Sequence, residues 1–235
     1  MIRDENFSFG SQINGLTSHA VAFSQDKFQD QLSWDHYGVE PPSHIKKACL
    51  KRKAEYLAGR YCAKKAMGKH GFLNSKFQLE SGENRAPIWP DSLTGSISHS
   101  DGFAVSVVGS LSHYRGIGID VESMIRESSL INIRNYISLK AEQNRFYELY
   151  SAGFNETSYF SLIFSAKESI YKSLNPIIGT FFGFHDAEII DIDASRSAFL
   201  YELKVDLSPE FQSGFRGEGA FFQDQVRVMS LICTE

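Results

Sequence analysis

An amphipathic helix is predicted by the segment Phe164-Ser165-Ala166-Lys167-Glu168-Ser169-Ile170-Tyr171-Lys172. At 100° per residue the apolar side chains form one stripe, with Lys167 at its centre and Glu168 about 40° from Phe164. Burying an unpaired charge is costly, so we expect these two charges to meet partners or ligands, although a long lysine can also extend outward to water. A surface ion pair between Glu168 and Lys172, one helical turn apart, is the alternative.

A buried strand is predicted before this helix by the segment Gly116-Ile117-Gly118-Ile119-Asp120-Val121-Glu122. Asp120 and Glu122 are two residues apart, so on a strand their carboxylates point to the same side. Magnesium prefers oxygen ligands and commonly combines one or two carboxylates with substrate phosphates. The pair therefore indicates a magnesium site, unless the strand simply exposes its acids to water.

The first half of the chain carries its positive charge in one segment. Residues 46–69 contain nine Lys or Arg and a single acid, Glu55. We predict one helix over residues 43–67, because no proline interrupts them and prolines and glycines flank them. Four basic residues within a narrow arc of that helix would form a stripe suited to an anionic partner, with a solvated helix face as the alternative. The stripe comprises Lys46, Lys53, Arg60 and Lys64.

Local signals predict where other elements begin and end. Asp101-Gly102, between two extended runs, suits the type I′ turn of a hairpin. Asn155 can cap the helix that carries Glu168, and Asn175-Pro176 should stop that helix after Leu174. Further strands are expected within residues 114–122, 187–193, 199–207 and 221–233.

Charge and element order together predict two lobes of similar size. Residues 1–117 carry an excess of three positive charges, whereas residues 118–235 carry an excess of seven negative charges. Each half combines a long helix with strand-like segments, which favours an α+β architecture. A boundary near residues 115–118 agrees with the charge change and with the glycines there.

The composition is that of an ordinary globular protein of 235 residues, with 42% hydrophobic residues and a net charge of −4. No apolar run reaches the ~18 residues of a membrane helix, and the first residues lack a signal-peptide pattern, so we expect a cytoplasmic protein. Cys49, Cys62 and Cys233 are odd in number and far apart, which argues against a disulfide framework or a zinc knuckle.

The sequence lacks several common catalytic and phosphate-binding patterns. Ser98 and His99 are adjacent on an extended segment and face opposite sides, and there is no G-x-S-x-G elbow. Gly116 and Gly118 lack the third glycine of a dinucleotide fingerprint, and residues 63–70 do not fit a phosphate loop. A phosphate group, if bound, must be held in another way.

Five segments together resemble the Sfp-type 4′-phosphopantetheinyl transferases, and within them the enterobactin synthase component D branch. They are residues 52–60, 86–90, 95–99, 117–122 and 164–172. They occur in the family's order at compatible spacings and span most of the chain. The resemblance implies two pseudo-symmetric α/β lobes with the active site between them, coenzyme A as donor, and a carrier-protein serine as acceptor.

On this resemblance we expect a Mg²⁺-dependent enzyme that modifies apo aryl, peptidyl or acyl carrier domains and releases 3′,5′-ADP. Residues 1–117 would bind the nucleotide of coenzyme A, and residues 118–235 would hold the metal and the catalytic helix. A monomer is expected, with no nucleic acid partner and no membrane span. Siderophore assembly of the enterobactin type is the expected pathway.

The resemblance also assigns roles to individual residues. Three carboxylates would bind the metal, and these are Asp120, Glu122 and Glu168. Three cationic or donor groups would neutralise the pyrophosphate, and these are Lys167, Lys172 and His99. The remaining contacts to coenzyme A would come from Arg52, Lys53, Arg60, Arg85 and Ser98. Glu168 would accept the serine proton, as metal ligand, base or both.

Two positions depart from the family's pattern. Phe164 stands where many relatives have Trp, and Arg85-Ala86 stands where many have a lysine after a glycine. We expect Arg85 to replace that lysine as a phosphate ligand. Two other functions fit the same residues: a Mg²⁺-dependent hydrolase of a nucleotide pyrophosphate, and a noncatalytic module that binds carrier protein or nucleotide.

Overall fold

The computed structural model describes residues 1–5, 15–74, 76–82, 86–149 and 154–235. Its contacts divide the chain into two compact units, residues 1–117 with Glu235 and residues 118–234. Each unit contains one small sheet and its own helices, which confirms the predicted α+β class. Among the described residues, no helix is both long and apolar enough to cross a bilayer.

The first unit has a four-stranded antiparallel sheet. Its strands are β1 (Ile2–Glu5), β2 (Thr17–Phe23), β3 (Leu93–Ser100) and β4 (Phe103–Ser110). They lie in the order β1-β2-β4-β3, so the almost completely buried β4 is central. The predicted hairpin joins β3 to β4, and its type I′ turn is confirmed by the positive φ angles of Asp101 (39°) and Gly102 (77°).

The helices of the first unit correct the prediction of one helix over residues 43–67. They are α1 (Asp30–Tyr37), α2 (Ser43–Lys46) and α3 (Leu50–Lys69). The chain leaves the helical conformation before α3, where Cys49 is extended with φ −63° and ψ 159°. The break lets Ile45 enter the same apolar cluster as Leu57. On one continuous helix these two residues would lie about 18 Å apart along the axis.

The second unit has a five-stranded sheet, and its strands lie in the order β5-β9-β8-β7-β6. They are β5 (Gly116–Ser123), β6 (Ala187–Asp193), β7 (Ala198–Leu203), β8 (Arg216–Gln223) and β9 (Arg227–Thr234). The prediction of one strand over residues 221–233 is wrong. Asp224 accepts hydrogen bonds from the backbone N–H groups of Val226 and Arg227, and this turn separates β8 from β9.

Three helices complete the second unit: α4 (Glu127–Ile137), α5 (Lys140–Leu149) and α6 (Glu156–Ile178). The sequence predicted only α6, which buries one face in the core of the unit. Its most buried large side chains are Tyr159, Phe160, Leu162, Ile163, Ile170 and Leu174.

Both ends of α6 are set by identifiable caps. Asn155 Oδ1 accepts from Ser158 N at 2.8 Å, and Ser158 Oγ accepts from Asn155 N at 3.1 Å, which confirms the predicted start. The predicted end after Leu174 is wrong, because the helix includes Pro176 and ends at Gly179 with φ 75°. A proline in the last turn removes one backbone hydrogen bond, whereas the left-handed glycine ends the helix.

Candidate active site

The centre of the candidate site is Asp120 on β5, in the second unit. The strand is apolar and Asp120 is 2% exposed. Gly118 lets the strand approach α6 closely, because a Cβ atom at this position would lie 1.8 Å from the carbonyl oxygen of Ser169. A residue with a side chain would not fit there. The close approach brings Asp120 next to the charged residues of α6.

Two of those charged residues, Lys172 and Glu168, interact with Asp120. Lys172 Nζ donates to Asp120 Oδ1 at 2.6 Å. The pKa of Glu168 is raised, mainly by burial and also by the charge of Asp120, while Lys172 acts to lower it. The predicted alternative is a surface ion pair between Glu168 and Lys172, whereas the ion pair that Lys172 makes here is with the buried Asp120.

The donor chemistry of this cluster fits a hard divalent cation. Asp120 and Glu168 are partly or fully buried carboxylates whose like charges repel, and Glu122 lies two residues from Asp120 on the same side of β5. A cation with oxygen ligands would relieve that repulsion. Within the described ranges, no three His, Cys, Asp or Glu side chains stand together as a formed metal site. The metal roles of Asp120, Glu122 and Glu168 therefore stay predictions.

Lys167 is only 3% exposed, and neighbouring segments of the second unit bind its ammonium group. Its Nζ donates to Glu142 Oε2 at 2.7 Å and to the carbonyl oxygens of Ile137 and Phe184, each at 2.8 Å. A lysine has three hydrogen-bond donors, so these contacts use all of them. This geometry counts against the predicted role of Lys167 in neutralising pyrophosphate, and we leave Lys167 out of the proposed binding site.

A cavity of about 390 Å³ adjoins Glu168 in the second unit. Its walls include Tyr136 and Tyr171 and the segment 181–187, which contains three phenylalanines. Phe181 is 82% exposed at this cavity, so the aromatic wall is open to solvent. This aromatic wall was not predicted from the sequence. The signal that was available is the run Phe181-Phe182-Gly183-Phe184 directly after the charged helix.

A second group of predicted residues meets in the first unit. Arg52 Nη1 lies 3.0 Å from His99 Nε2 and 3.6 Å from Glu55 Oε2. Arginine can only donate, so His99 Nε2 accepts and the other ring nitrogen carries the proton of the neutral ring. These side chains line a cavity of about 120 Å³ that also contacts Arg60. Arg52, Arg60 and His99 thus face one small cavity with donor groups.

The side of α3 predicted as an open basic stripe is largely packed against other segments. Arg60 Nη2 donates to Ser81 Oγ at 2.7 Å, Lys53 pairs with Asp30 at 3.1 Å, and Lys64 Nζ donates to the carbonyl oxygen of Gly38 at 3.1 Å. The neighbouring segments cover that face because the apolar residues of α3 draw them onto it. Lys46 is exposed.

Two other predicted contacts to coenzyme A, Lys53 and Ser98, do not line this cavity. Lys53 does not line it and is engaged with Asp30, so we leave Lys53 out of the proposed nucleotide site. Ser98 is buried on β3, at 5% exposure. Arg85 lies outside the described residues.

Comparison with known proteins defines the class of this chain. Residues 40–109 match the family model of the 4′-phosphopantetheinyl transferase N-terminal domain, and residues 116–220 match the 4′-phosphopantetheinyl transferase superfamily. Enterobactin synthase component D of Escherichia coli O157:H7 is 35% identical over 178 residues, covering 75% of this chain and 78% of that protein. The 4′-phosphopantetheinyl transferase Npt of Nocardia iowensis is 32% identical over 169 residues, covering 68% and 72%.

A third relative, the 4′-phosphopantetheinyl transferase Svp of Streptomyces mobaraensis, is 32% identical over 156 residues, covering 66% of this chain and 61% of that protein. The chain belongs to the 4′-phosphopantetheinyl transferase superfamily. It is an enzyme that uses coenzyme A as its substrate and transfers the phosphopantetheine group to carrier proteins. This confirms the family, the activity and the donor that the sequence motifs indicate.

Proposed function

We propose that this transferase requires Mg²⁺ and modifies aryl and peptidyl carrier domains of a siderophore synthetase. The pathway is suggested by the relatives named enterobactin synthase component D. The metal requirement is supported by one observation above the others: Asp120, Glu168 and Lys172 lie together on β5 and α6.

Asp120, Glu122 and Glu168 are the proposed ligands of the metal. Bound Mg²⁺ would supply charge neutralisation on the phosphoryl oxygens. Lys172 is the protein's own cation at the same place and would stabilise the negative charge of the leaving group. The aromatic cavity beside Glu168 is the proposed location of the pantetheine arm, because about 390 Å³ with both aromatic and polar walls suits a slender chain of methylene, dimethyl and amide groups.

The proposed reaction is a single displacement at phosphorus. The serine oxygen of the carrier attacks the phosphorus that bears the pantetheine arm, the new O–P bond forms, and the pyrophosphate P–O bond breaks to release 3′,5′-ADP. Glu168 accepts the serine proton, and the burial that raises its pKa makes it a stronger base. The residues act mainly by holding the groups in position and by matching the charge.

The nucleotide of coenzyme A is proposed to bind in the first unit. Arg52, Arg60 and His99 line the cavity of about 120 Å³ and present donors that suit a phosphate. Ser98 and Arg85 stay candidates from the motif resemblance alone. We also propose that the enzyme is a cytoplasmic monomer.

Mass spectrometry of an apo aryl carrier domain, incubated with coenzyme A, MgCl₂ and the enzyme, tests the proposal. The carrier should gain one phosphopantetheinyl group, and chelation of the metal should prevent the gain. Replacement of Asp120 by Asn should slow the transfer roughly 100-fold or more, because a charged ligand is lost with little change of shape. A carrier whose acceptor serine is replaced by alanine is the control for the site of modification.

Other outcomes would contradict parts of the proposal. Release of 3′,5′-ADP from coenzyme A at the same rate without carrier would indicate a hydrolase. Binding of coenzyme A without any product would indicate a noncatalytic module. Equal kcat/KM for a fatty-acid acyl carrier and for the aryl carrier would contradict the siderophore pathway, and full activity without divalent metal would contradict the metal site.

A further inference from the structure

The ion pair between Lys167 and Glu142 is the most deeply buried pair of charges described in the second unit. Its side chains are 2% and 0% exposed, and Lys167 Nζ lies 2.7 Å from Glu142 Oε2. Lys167 also donates to the last residue of α4, Ile137, and to Phe184 in the 3₁₀ turn Phe184–Asp186. The lysine therefore joins three separate segments through one ammonium group.

Glu142 connects further segments to the same point. Its Oε1 accepts from Ile189 N on β6 at 2.8 Å, and its Oε2 accepts from Leu139 N, between α4 and α5, at 2.6 Å. Both carboxylate oxygens are thus used by the backbone and by Lys167. A buried ion pair contributes little net stability compared with apolar residues of similar size. What the Lys167–Glu142 pair supplies is a fixed geometry at the junction of these segments.

That geometry bears on the candidate active site because Lys167 immediately precedes Glu168. Successive residues of a helix point about 100° apart, so a lysine held inward fixes the direction in which Glu168 points. Tyr171, one turn after Lys167, lines the cavity together with Glu168. The hydrogen bond from Lys167 to the Phe184 carbonyl oxygen holds another part of the wall of that cavity.

We propose that Glu142 is a positioning residue of the transferase. Through Lys167 it fixes the rotation of α6 and the wall at Phe184, and so holds Glu168 ready for the metal and the phosphate. The inference rests on the proposed function, because it takes Glu168 as metal ligand and proton acceptor. It also gives Lys167 a role that requires no contact with coenzyme A.

Replacement of Glu142 by Gln tests this inference in the full chain. The variant keeps the shape but weakens the hold on Lys167, so the Mg²⁺ concentration for half-maximal rate should rise at least tenfold and kcat should fall. Affinity for 3′,5′-ADP should stay within twofold of the wild type, because its proposed contacts are in the first unit. A loss of folding alone would not raise the Mg²⁺ requirement while leaving the affinity for 3′,5′-ADP unchanged.

Arg145→Met is the matched control. Arg145 also links α5 to β6, through the Ile189 carbonyl and Glu188, so its loss loosens the same two elements. If Arg145→Met lowers Tm about as much as Glu142→Gln does, it should still leave the Mg²⁺ requirement unchanged. The same rise in Mg²⁺ requirement in Arg145→Met would overturn the inference, because general loosening would then be sufficient.

A neutral double variant, Glu142→Gln with Lys167→Met, covers the case in which a single change prevents folding. It leaves no unpaired buried charge, so it should fold with a Tm above that of Lys167→Met. It should still show the raised Mg²⁺ requirement. A wild-type Mg²⁺ requirement and kcat in this variant or in Glu142→Gln would overturn the inference alone, whereas a wild-type enzyme without transfer or without metal dependence would overturn the proposed function.

Discussion

Glu168 has two proposed tasks, and one substitution can separate them. Glu168→Gln keeps the shape of the side chain but removes its charge and its ability to accept a proton. We expect a higher Mg²⁺ requirement together with a lower kcat at saturating Mg²⁺, because a ligand and a base are lost at once. Transfer rates over a Mg²⁺ titration measure both quantities. Full recovery of kcat in excess Mg²⁺ would show that Glu168 is a ligand only.

Lys172→Ala is the comparison within the same cluster. Lys172 should act on charge that grows as the pyrophosphate bond breaks, so its loss should lower kcat by roughly 10²–10³, with a smaller change in Mg²⁺ requirement. An unchanged kcat would show that the contact with Asp120 is only a structural ion pair.

The environment of Lys167 was only partly predictable from the sequence. A charge at the centre of an apolar stripe predicts that the side chain needs a buried partner, and the structure shows Glu142 in that place. The identity of the partner was not predictable, because Glu142 is 25 residues away and tertiary packing brings it to Lys167. The same burial counts against the predicted contact of Lys167 with pyrophosphate.

At the scale of elements, the approach of β5 to α6 controls the site. Gly118→Ala places a methyl group where the carbonyl oxygen of Ser169 already lies, so the strand must move away from the helix. We expect the free energy of unfolding to fall by at least about 2 kcal/mol, because the obstacle is backbone and cannot adjust. The Mg²⁺ requirement of the remaining folded enzyme should also rise. Chemical denaturation and Mg²⁺ titration measure the two effects.

Gly68→Ala is the control for the glycine-to-alanine change itself. Gly68 is exposed in the last turn of α3, and a Cβ atom there would meet nothing within 4 Å. The substitution should raise the free energy of unfolding by about 0.5–1 kcal/mol through helix propensity. A similar loss of stability at both positions would contradict the proposed contact between β5 and α6.

Element boundaries were predictable where a local residue sets them. Asn155 caps α6 and Asp101-Gly102 turns the hairpin through bonds and angles that those residues supply themselves. The break before α3 depends on where Ile45 finds apolar neighbours, and such neighbours cannot be read from the adjacent sequence. The helices α4 and α5 were not predicted, although their apolar residues follow a helical period about as clearly as those of α6.

For the molecule as a whole, the excess of positive charge in residues 1–117 predicts how coenzyme A is recognised. Arg60 is buried beside the nucleotide cavity and its guanidinium lies 4.9 Å from the ring centre of Tyr56. Arg60→Ala should raise KM for coenzyme A more than KM for dephospho-coenzyme A, which lacks the 3′-phosphate. The KM for coenzyme A in the wild type should also rise with salt, because salt screens the attraction.

Lys69→Ala removes the same charge from the exposed end of α3 and should leave both KM values unchanged. Equal effects of Arg60→Ala on the two donors would place Arg60 outside the 3′-phosphate site and leave it as a structural residue of the helix.

The family was predictable from five short motifs because their order and spacing carry more information than each motif alone. The arrangement of the side chains was less predictable than the family. Arg60 and Lys53 have the sequence features of a basic stripe, yet one bonds to Ser81 and the other to Asp30. A helical wheel gives the direction of a side chain and omits the segments that fold over it, here residues 30–39 and 78–81.

The contact between Lys172 and Asp120 has a consequence for the order of events in the proposed reaction. Lys172 is the cation that pairs with Asp120 in this structure, so binding of the proposed Mg²⁺ would exchange one cation for another. Lys172 would then leave Asp120, and its charge would act on the pyrophosphate of coenzyme A. On this proposal, the binding of the metal would also set when Lys172 can act in the transfer.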